Sequence, residues 1–168
     1  MTTSEPQSAD PGVAVVTGAS SGIGAATARA LAARGFQVIA AARRTEQLEA
    51  LARSSERIEA WPLDVTDQAS VDALAQHVAA RDVTVLVANA GGAYDALPIA
   101  DSDAESWQRT LDVNVMGTVR TVSALLPRLM ASRRGLVVLM GSTAGRVAYE
   151  NGGSYVAAKH AVAAIAGT

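Results

Sequence analysis

Residues 13–24 read VAVVTGASSGIG: four apolar residues in a row, then a turn with glycines at 18, 22 and 24. An apolar run of that length, mostly valine, predicts a short buried strand over Val13–Val16. From Ile23 to Arg34 the spacing is helical and rich in alanine, and it ends on Gly35, a residue suited to a left-handed helix cap. Gly18, Gly22 and Gly24 between them admit two readings. One is a tight turn. The other is a phosphate cradle, where glycine lets the backbone approach a pyrophosphate and the helix start offers free N–H groups and a positive dipole end. The spacing G-x-x-x-G-x-G differs from the usual dinucleotide pattern. The cradle is the better reading if the rest of the chain alternates strand and helix.

It does. A second strand is expected over Phe36–Ala42, a short helix over Glu46–Arg53 and a third strand over Ile58–Leu63, closed by Asp64-Val65-Thr66-Asp67. A helix over Ala69–Ala80 leads to a fourth strand, Val83–Ala88, followed by Asn89-Ala90-Gly91-Gly92. A long helix spans about Ser106–Ser132, a fifth strand covers Leu136–Met140 and ends in Gly141-Ser142, and a last helix starts near Gly153. The strands are continuous apolar runs, the signature of a parallel sheet covered on both faces. The expected class is therefore α/β: a doubly wound, three-layer, Rossmann-like parallel sheet with five strands. Ligands of such sheets sit beyond the carboxyl ends of the strands, so the segments that follow strands are the ones to read for function.

Composition bounds the rest. The chain has 168 residues, enough for one domain over residues 13–168, preceded by a polar, proline-containing tail over residues 1–12 that reads as disordered. Its formal charge of −2 gives no basic footprint for nucleic acid or an anionic membrane. It has no cysteine, which excludes disulfides and thiolate metal sites and fits a cytoplasmic location. No apolar run reaches the roughly 18 residues that span a bilayer. His77 and His160 have no partners at metal-ligand spacing, so no metal is expected; Trp61 and Trp107 read as packing anchors, and Asp64 and Asp67 as helix-capping residues.

The end of the second strand bears on the cofactor. A carboxylate there would hold the ribose diol of NAD, whereas arginine accepts the 2′-phosphate of NADP. The sequence reads Ala41-Ala42-Arg43-Arg44, which favours NADP; the competing reading is that both arginines merely solvate a helix start. Further on, Tyr155 and Lys159 stand four apart, on one face of the last helix. Tyrosine is a poor base at neutral pH, and a nearby cation favours its phenolate. A phenol tuned in this way exchanges a proton with a carbonyl or alcohol oxygen. Ser142, just past the fifth strand, is placed to donate a hydrogen bond to the same oxygen.

Together TGASSGIG, ANAG at 88–91, Asn114, Ser142 and YVAAK at 155–159 resemble the short-chain dehydrogenases/reductases, over a stretch running from about Val13 to the last residue. The resemblance implies hydride transfer between a nicotinamide and a carbonyl or alcohol carbon. It implies that Gly18, Gly22 and Gly24 shape the pyrophosphate turn and that Ser20, Ser21 and Ile23 line it. Arg43, with Arg44 beside it, falls where NADP-preferring members carry a basic residue. Asp64 and Val65 would contact adenine, and Asn89, Ala90 and Gly91 would support the sheet and line the cofactor site. Tyr155 would be the general acid/base, and Lys159 would tune it and bind the nicotinamide ribose. Ser142 would orient the substrate, and Asn114 would hold a water in a proton relay. Asn114 has no signal of its own in the sequence.

The resemblance also implies strand order 3-2-1-4-5-6-7 and packing of the helices at 106–132 and 153–168 into a homodimer or homotetramer. Two further strands of that order find no counterpart here. The domain is thus expected to be incomplete at its C-terminus, with strand five an apolar edge that a longer chain or a partner covers. Two functions follow: an NADP-dependent oxidoreductase acting on a small carbonyl or alcohol, or a truncated, non-catalytic NADP-binding or interaction module. Substrate choice is not encoded in these motifs.

Overall fold

The structure, a computed structural model, describes residues 10–168. Five strands, β1 (Val13–Thr17), β2 (Gln37–Ala42), β3 (Ile58–Pro62), β4 (Val83–Ala88) and β5 (Leu136–Leu139), form one sheet in the order β3-β2-β1-β4-β5. All four pairings are parallel. The crossovers carry helices α1 (Gly22–Ala33), α2 (Thr45–Ala52), α3 (Gln68–His77), α4 (Ala104–Leu111) and α5 (Gly117–Ala131), and α6 (Gly153–Ile165) follows β5. The chain progresses in opposite directions on either side of β1, so the crevice beyond β1 and β4 is the switch point at which such sheets bind ligands.

Alternation along the strands separates two cores. Val13, Val15, Ile39 and Leu86 point to one face and pack with Val71 and Leu74 of α3 and Leu125 and Leu129 of α5. Ala14, Val16, Val38, Ala40 and Val87 point to the other, against Ala25, Ala28 and Ala32 of α1 and Leu48 and Leu51 of α2. Alanine on both sides of that second interface lets α1 lie close to the sheet. Among the described residues β5 pairs with β4 alone, and its Leu136 and Val138 are exposed, at 54% and 37%.

Two expectations are corrected. The single helix over Ser106–Ser132 is two α-helices joined by a π-helical turn over Asp112–Met116. The Asn114 side chain donates a 2.8 Å hydrogen bond to the Thr110 carbonyl, the acceptor its own N–H would use in an α-helix. Thr118 and Thr121 bond back to the carbonyls of Asn114 and Gly117, at 2.8 and 2.7 Å. Such side chains compete with the ladder and open it. The helix expected over Ala69–Ala80 ends at His77, because Val78 turns fully into the core and the chain swings towards β4. Of the tail expected over residues 1–12, residues 1–9 lie outside the described residues; Asp10 accepts the Gly12 N–H (2.9 Å) and the Pro11 carbonyl accepts from Thr84 Oγ1 (2.7 Å).

Candidate active site

The turn after β1 is stapled to the turn after β4. Buried Thr17 ends β1, and its Oγ1 accepts the N–H groups of Asn89 and Ala90, both at 3.0 Å. Asn89 Nδ2 reaches back to the carbonyls of Thr17 (2.9 Å) and Gly18 (3.3 Å). Gly18 has φ +65°, and a Cβ on it would stand 2.8 Å from Asn89 Nδ2 and from Ala90 Cα. A Cβ on Gly24 would press on the Gly18 carbonyl and the Asn89 amide. Two of the three glycines are thus required by close approach. α1 starts directly above with no side-chain cap and no acidic residue in its first turn, leaving its N–H groups and dipole end uncompensated.

A cleft of about 250 Å³ opens at this point. Gly18, Ser20, Ser21, Arg43, Arg44, Asp64, Val65, Ala90 and Gly91 line it, as do Tyr94 and Val113. Arg44 folds over the glycine turn: its guanidinium donates to Ser20 Oγ from Nε (3.1 Å) and Nη2 (2.9 Å), and to Ser21 Oγ from Nη2 (2.5 Å). Burial raises the Asp64 carboxyl, but the N–H and hydroxyl of Thr66 and the nearby Arg43 guanidinium outweigh it and hold the group below its usual 3.8. Val65 is seated by α5, since a Cβ on Gly117 would meet Val65 Cγ2 at 2.6 Å and Arg120 donates to the Val65 carbonyl at 3.4 Å. Besides Tyr155 and Lys159 of α6, four residues expected at the cofactor do not line the cleft. Asn89 is the staple beneath it, Gly22 and Gly24 form the helix start behind it, and the Ile23 side chain points into solvent, 63% exposed.

The remaining motif residues gather beside this cleft. Ser142 precedes a short 3₁₀ turn (Thr143–Gly145) and caps it, Oγ accepting the Ala144 N–H at 3.1 Å; its hydroxyl proton remains to donate. The turn lies against α6, where a Cβ on Gly145 would stand 2.6 Å from the Lys159 carbonyl. Ser142 and Lys159 share a second hollow with Gly141, Thr143, Gly145 and Arg146. Lys159 is 5% exposed, its Nζ donates to the Met140 carbonyl at 2.9 Å, and burial lowers its pKa from the ordinary 10.5. That ammonium stands 5.5 Å from the Tyr155 ring centroid. Asn114, 1% exposed, exchanges hydrogen bonds with Gly92, donating to its carbonyl (2.8 Å) and accepting its N–H (3.3 Å). A Cβ on Gly91 would fall 2.5 Å from Asn114 Oδ1 and 3.5 Å from Lys159 Nζ, so both side chains converge on that glycine.

Sequence reading missed two residues here. Thr17 looks like the last strand residue, and only the pairing of β1 with β4 reveals its role as a double acceptor. Tyr94 enters the cleft from the loop after β4, its ring covered by the Arg109 guanidinium at 4.2 Å, and no local pattern marks it.

Comparison with known proteins places the chain in a family. A family model described as short chain dehydrogenase matches residues 12–168. An uncharacterised oxidoreductase of Mycobacterium tuberculosis is 52% identical over 153 residues, covering 91% of this chain and 60% of its own. Cis-4-hydroxycyclohexanecarboxylate dehydrogenase of Sinomonas cyclohexanicum is 40% identical over 156 residues, 90% of this chain and 63% of its own. Among solved structures, the closed form of a serine dehydrogenase complexed with NADP+ superposes with a TM-score of 0.85 at 31% identity, covering 91% of this chain and 63% of that one. The chain therefore spans about three fifths of the length of these relatives.

Proposed function

From the premise that the chain belongs to the short-chain dehydrogenase/reductase family, we propose that the protein is an NADP-dependent oxidoreductase acting on a small carbonyl or alcohol. The observation that carries the reading is Arg44, held across Ser20 and Ser21 at the edge of a glycine cradle, in the same molecule as Tyr155 beside the buried Lys159 ammonium.

The residues fit the dinucleotide. The open first turn of α1 and the side-chain-free surface at Gly18 suit a pyrophosphate. Arg43 and Arg44 offer two guanidiniums to a 2′-phosphate, and the end of β2, Ala41-Ala42-Arg43-Arg44, carries no carboxylate to hold a ribose diol in its place. Asp64 and Val65 close the adenine side. When bound, the nicotinamide supplies the carbon that gives or receives hydride.

The chain's own groups manage the proton. Tyr155 donates from its phenol to the developing alkoxide in reduction and takes a proton from the alcohol in oxidation. The Lys159 ammonium stabilises negative charge growing on the phenol oxygen, and its burial strengthens that interaction. Ser142 donates to the substrate oxygen and holds it opposite the phenol. Asn114 and Lys159, converging at Gly91, support a water through which the proton returns.

We further infer a homodimer or homotetramer packed through α4, α5 and α6, and a cytoplasmic location. Exposed Met116, Leu126 and Met130 on the α5 side favour such packing, and among the described residues no helix is long and apolar enough to cross a membrane.

The test is NADPH oxidation with a panel of aldehydes and ketones. Wild-type protein turns over at least one of them. Tyr155→Phe keeps NADPH affinity within about twofold and loses turnover by at least about 100-fold. Retained turnover in that variant overturns the mechanism.

A further inference from the structure

We propose that Asp95 is a positioning residue, whose carboxylate fixes the first turn of α6 and through it the Tyr155 phenol; this rests on the oxidoreductase reading above.

Asp95 lies in the loop between β4 and α4, and both its oxygens are engaged. Oδ1 accepts from Ser154 Oγ at 2.6 Å and Oδ2 accepts from Ser102 Oγ at 2.6 Å. Hydrogen bonds to a carboxylate at such lengths are of the strong, charge-assisted kind. Ser154 is fully buried and immediately precedes Tyr155. Its hydroxyl also lies 3.2 Å from Thr110 Oγ1, itself fully buried on α4. Ser102 in turn accepts from Trp107 Nε1 at 2.8 Å, and the Trp107 ring lies over Gly153, where a Cβ would meet it at 2.8 Å.

The first two residues of α6 are therefore held from outside the helix, one by a ring and one by a carboxylate. α6 needs such help. It has no side-chain cap and no acidic residue in its first turn, and an anion near a helix N-terminus is favourable. The second motif side chain of α6, Lys159, is fixed independently, one turn on, by the Met140 carbonyl. Tyr155 has no comparable tether of its own, so its placement follows that of Ser154. Asp95 and Ser154 are 59 residues apart in sequence, which is why no local motif points to the pair.

The test compares Asp95→Ala, Asp95→Asn, Ser154→Ala and the Asp95→Ala/Ser154→Ala double variant. Asp95→Ala lowers kcat by about 10-fold or more, with KM for the carbonyl and NADPH stoichiometry unchanged. With NADPH deuterated at the transferred position, the isotope effect on kcat rises, because a displaced phenol slows the chemical step; a smaller folded fraction would leave it unchanged. Asp95→Asn restores much of the rate, since an amide oxygen still accepts from Ser154 and an amide N–H still reaches Ser102. The double variant is no worse than Asp95→Ala. Unchanged kcat in Asp95→Ala, an unchanged isotope effect, or losses that multiply in the double variant overturn the proposal. If wild-type protein reduces no carbonyl, the function reading fails and Asp95 is judged by amide hydrogen exchange: Asp95→Ala speeds exchange in the first turn of α6 and spares β1, and unchanged exchange there overturns it.

Discussion

Lys159 Nζ donates its 2.9 Å hydrogen bond to the carbonyl of Met140, the residue just past β5, whose own N–H donates to the Ala88 carbonyl at 3.0 Å. One main-chain unit thus ties the ends of β4 and β5 to the middle of α6. The ammonium is held in an almost waterless position by a single neutral acceptor, and that has a measurable cost.

Burial lowers the Lys159 pKa below 10.5 in the folded state, so between that lowered value and 10.5 the unfolded chain binds more protons than the folded one. Stability from this group therefore rises with pH across that window, and below the lowered value the penalty for the buried charge is present in full. Lys159→Met is expected to flatten this slope. Urea unfolding at pH 7.5 and at pH 10.5, the upper bound of the window, checks it: the difference between the two pH values should shrink in the variant, and an identical difference would contradict the assignment.

Asp64 works in the opposite direction. Its folded pKa lies below 3.8, so its contribution is complete above about that value and is lost as pH falls through the depressed folded value. Asp64→Asn removes that part of the acid sensitivity. Thermal melts from pH 5 down to pH 2 should show a shallower fall in Tm for the variant.

Gly24→Ala places a methyl group against the Gly18 main-chain carbonyl and against the Asn89 amide, which is tied to the carbonyls of Thr17 and Gly18. The expected loss is about 2 kcal/mol of stability, the scale of overpacking a tight interior. NADPH affinity should fall as well, since the cradle is displaced. Gly22→Ala is the control: no atom lies within 4 Å of its Cβ position, but φ of +56° makes the substitution strained, so a smaller loss without a collision is expected. Chemical denaturation of the two variants gives the ranking.

Arg44→Leu removes the guanidinium bridging Ser20 and Ser21. A charge-assisted contact to phosphate is worth about 1.5–3 kcal/mol, so NADPH binding should weaken by about 10- to 100-fold while NADH binding changes little. Fluorescence titration with both cofactors decides it. Equal losses for the two would assign Arg44 to loop architecture instead.

The sheet was legible in the sequence because most strands are largely apolar runs and α1 is closed by Gly35 with φ of +93°. The candidate site was legible where residues suited to chemistry follow a strand: TGASSGIG, Arg43-Arg44 and Ser142 all lie beyond carboxyl ends. What escaped notice depends on partners distant along the chain. The Asn114 amide displaces its own N–H at the Thr110 carbonyl, a choice that helical spacing does not encode. The resemblance put Arg43 at the basic position with Arg44 beside it; it is Arg44 that grips the glycine turn, while Arg43 lies towards Asp64. Ile23 looked like a lining residue because it sits inside the motif, but its place on α1 turns it to solvent.

The π-helical turn between α4 and α5 has a consequence for the length of that segment. A helix advances about 100° per residue, so one extra residue in the turn rotates everything after it by that amount. Ahead of the turn, Thr110 meets Ser154 of α6; after it, Leu125 enters the core under the sheet. The segment is therefore two screws cut to different phases, one serving the α6 helix and the other the sheet. Substitution at Val115 leaves that phase difference intact, whereas deletion of any one residue from 112–116 would swing either Thr110 or Leu125 about a quarter-turn from its partner.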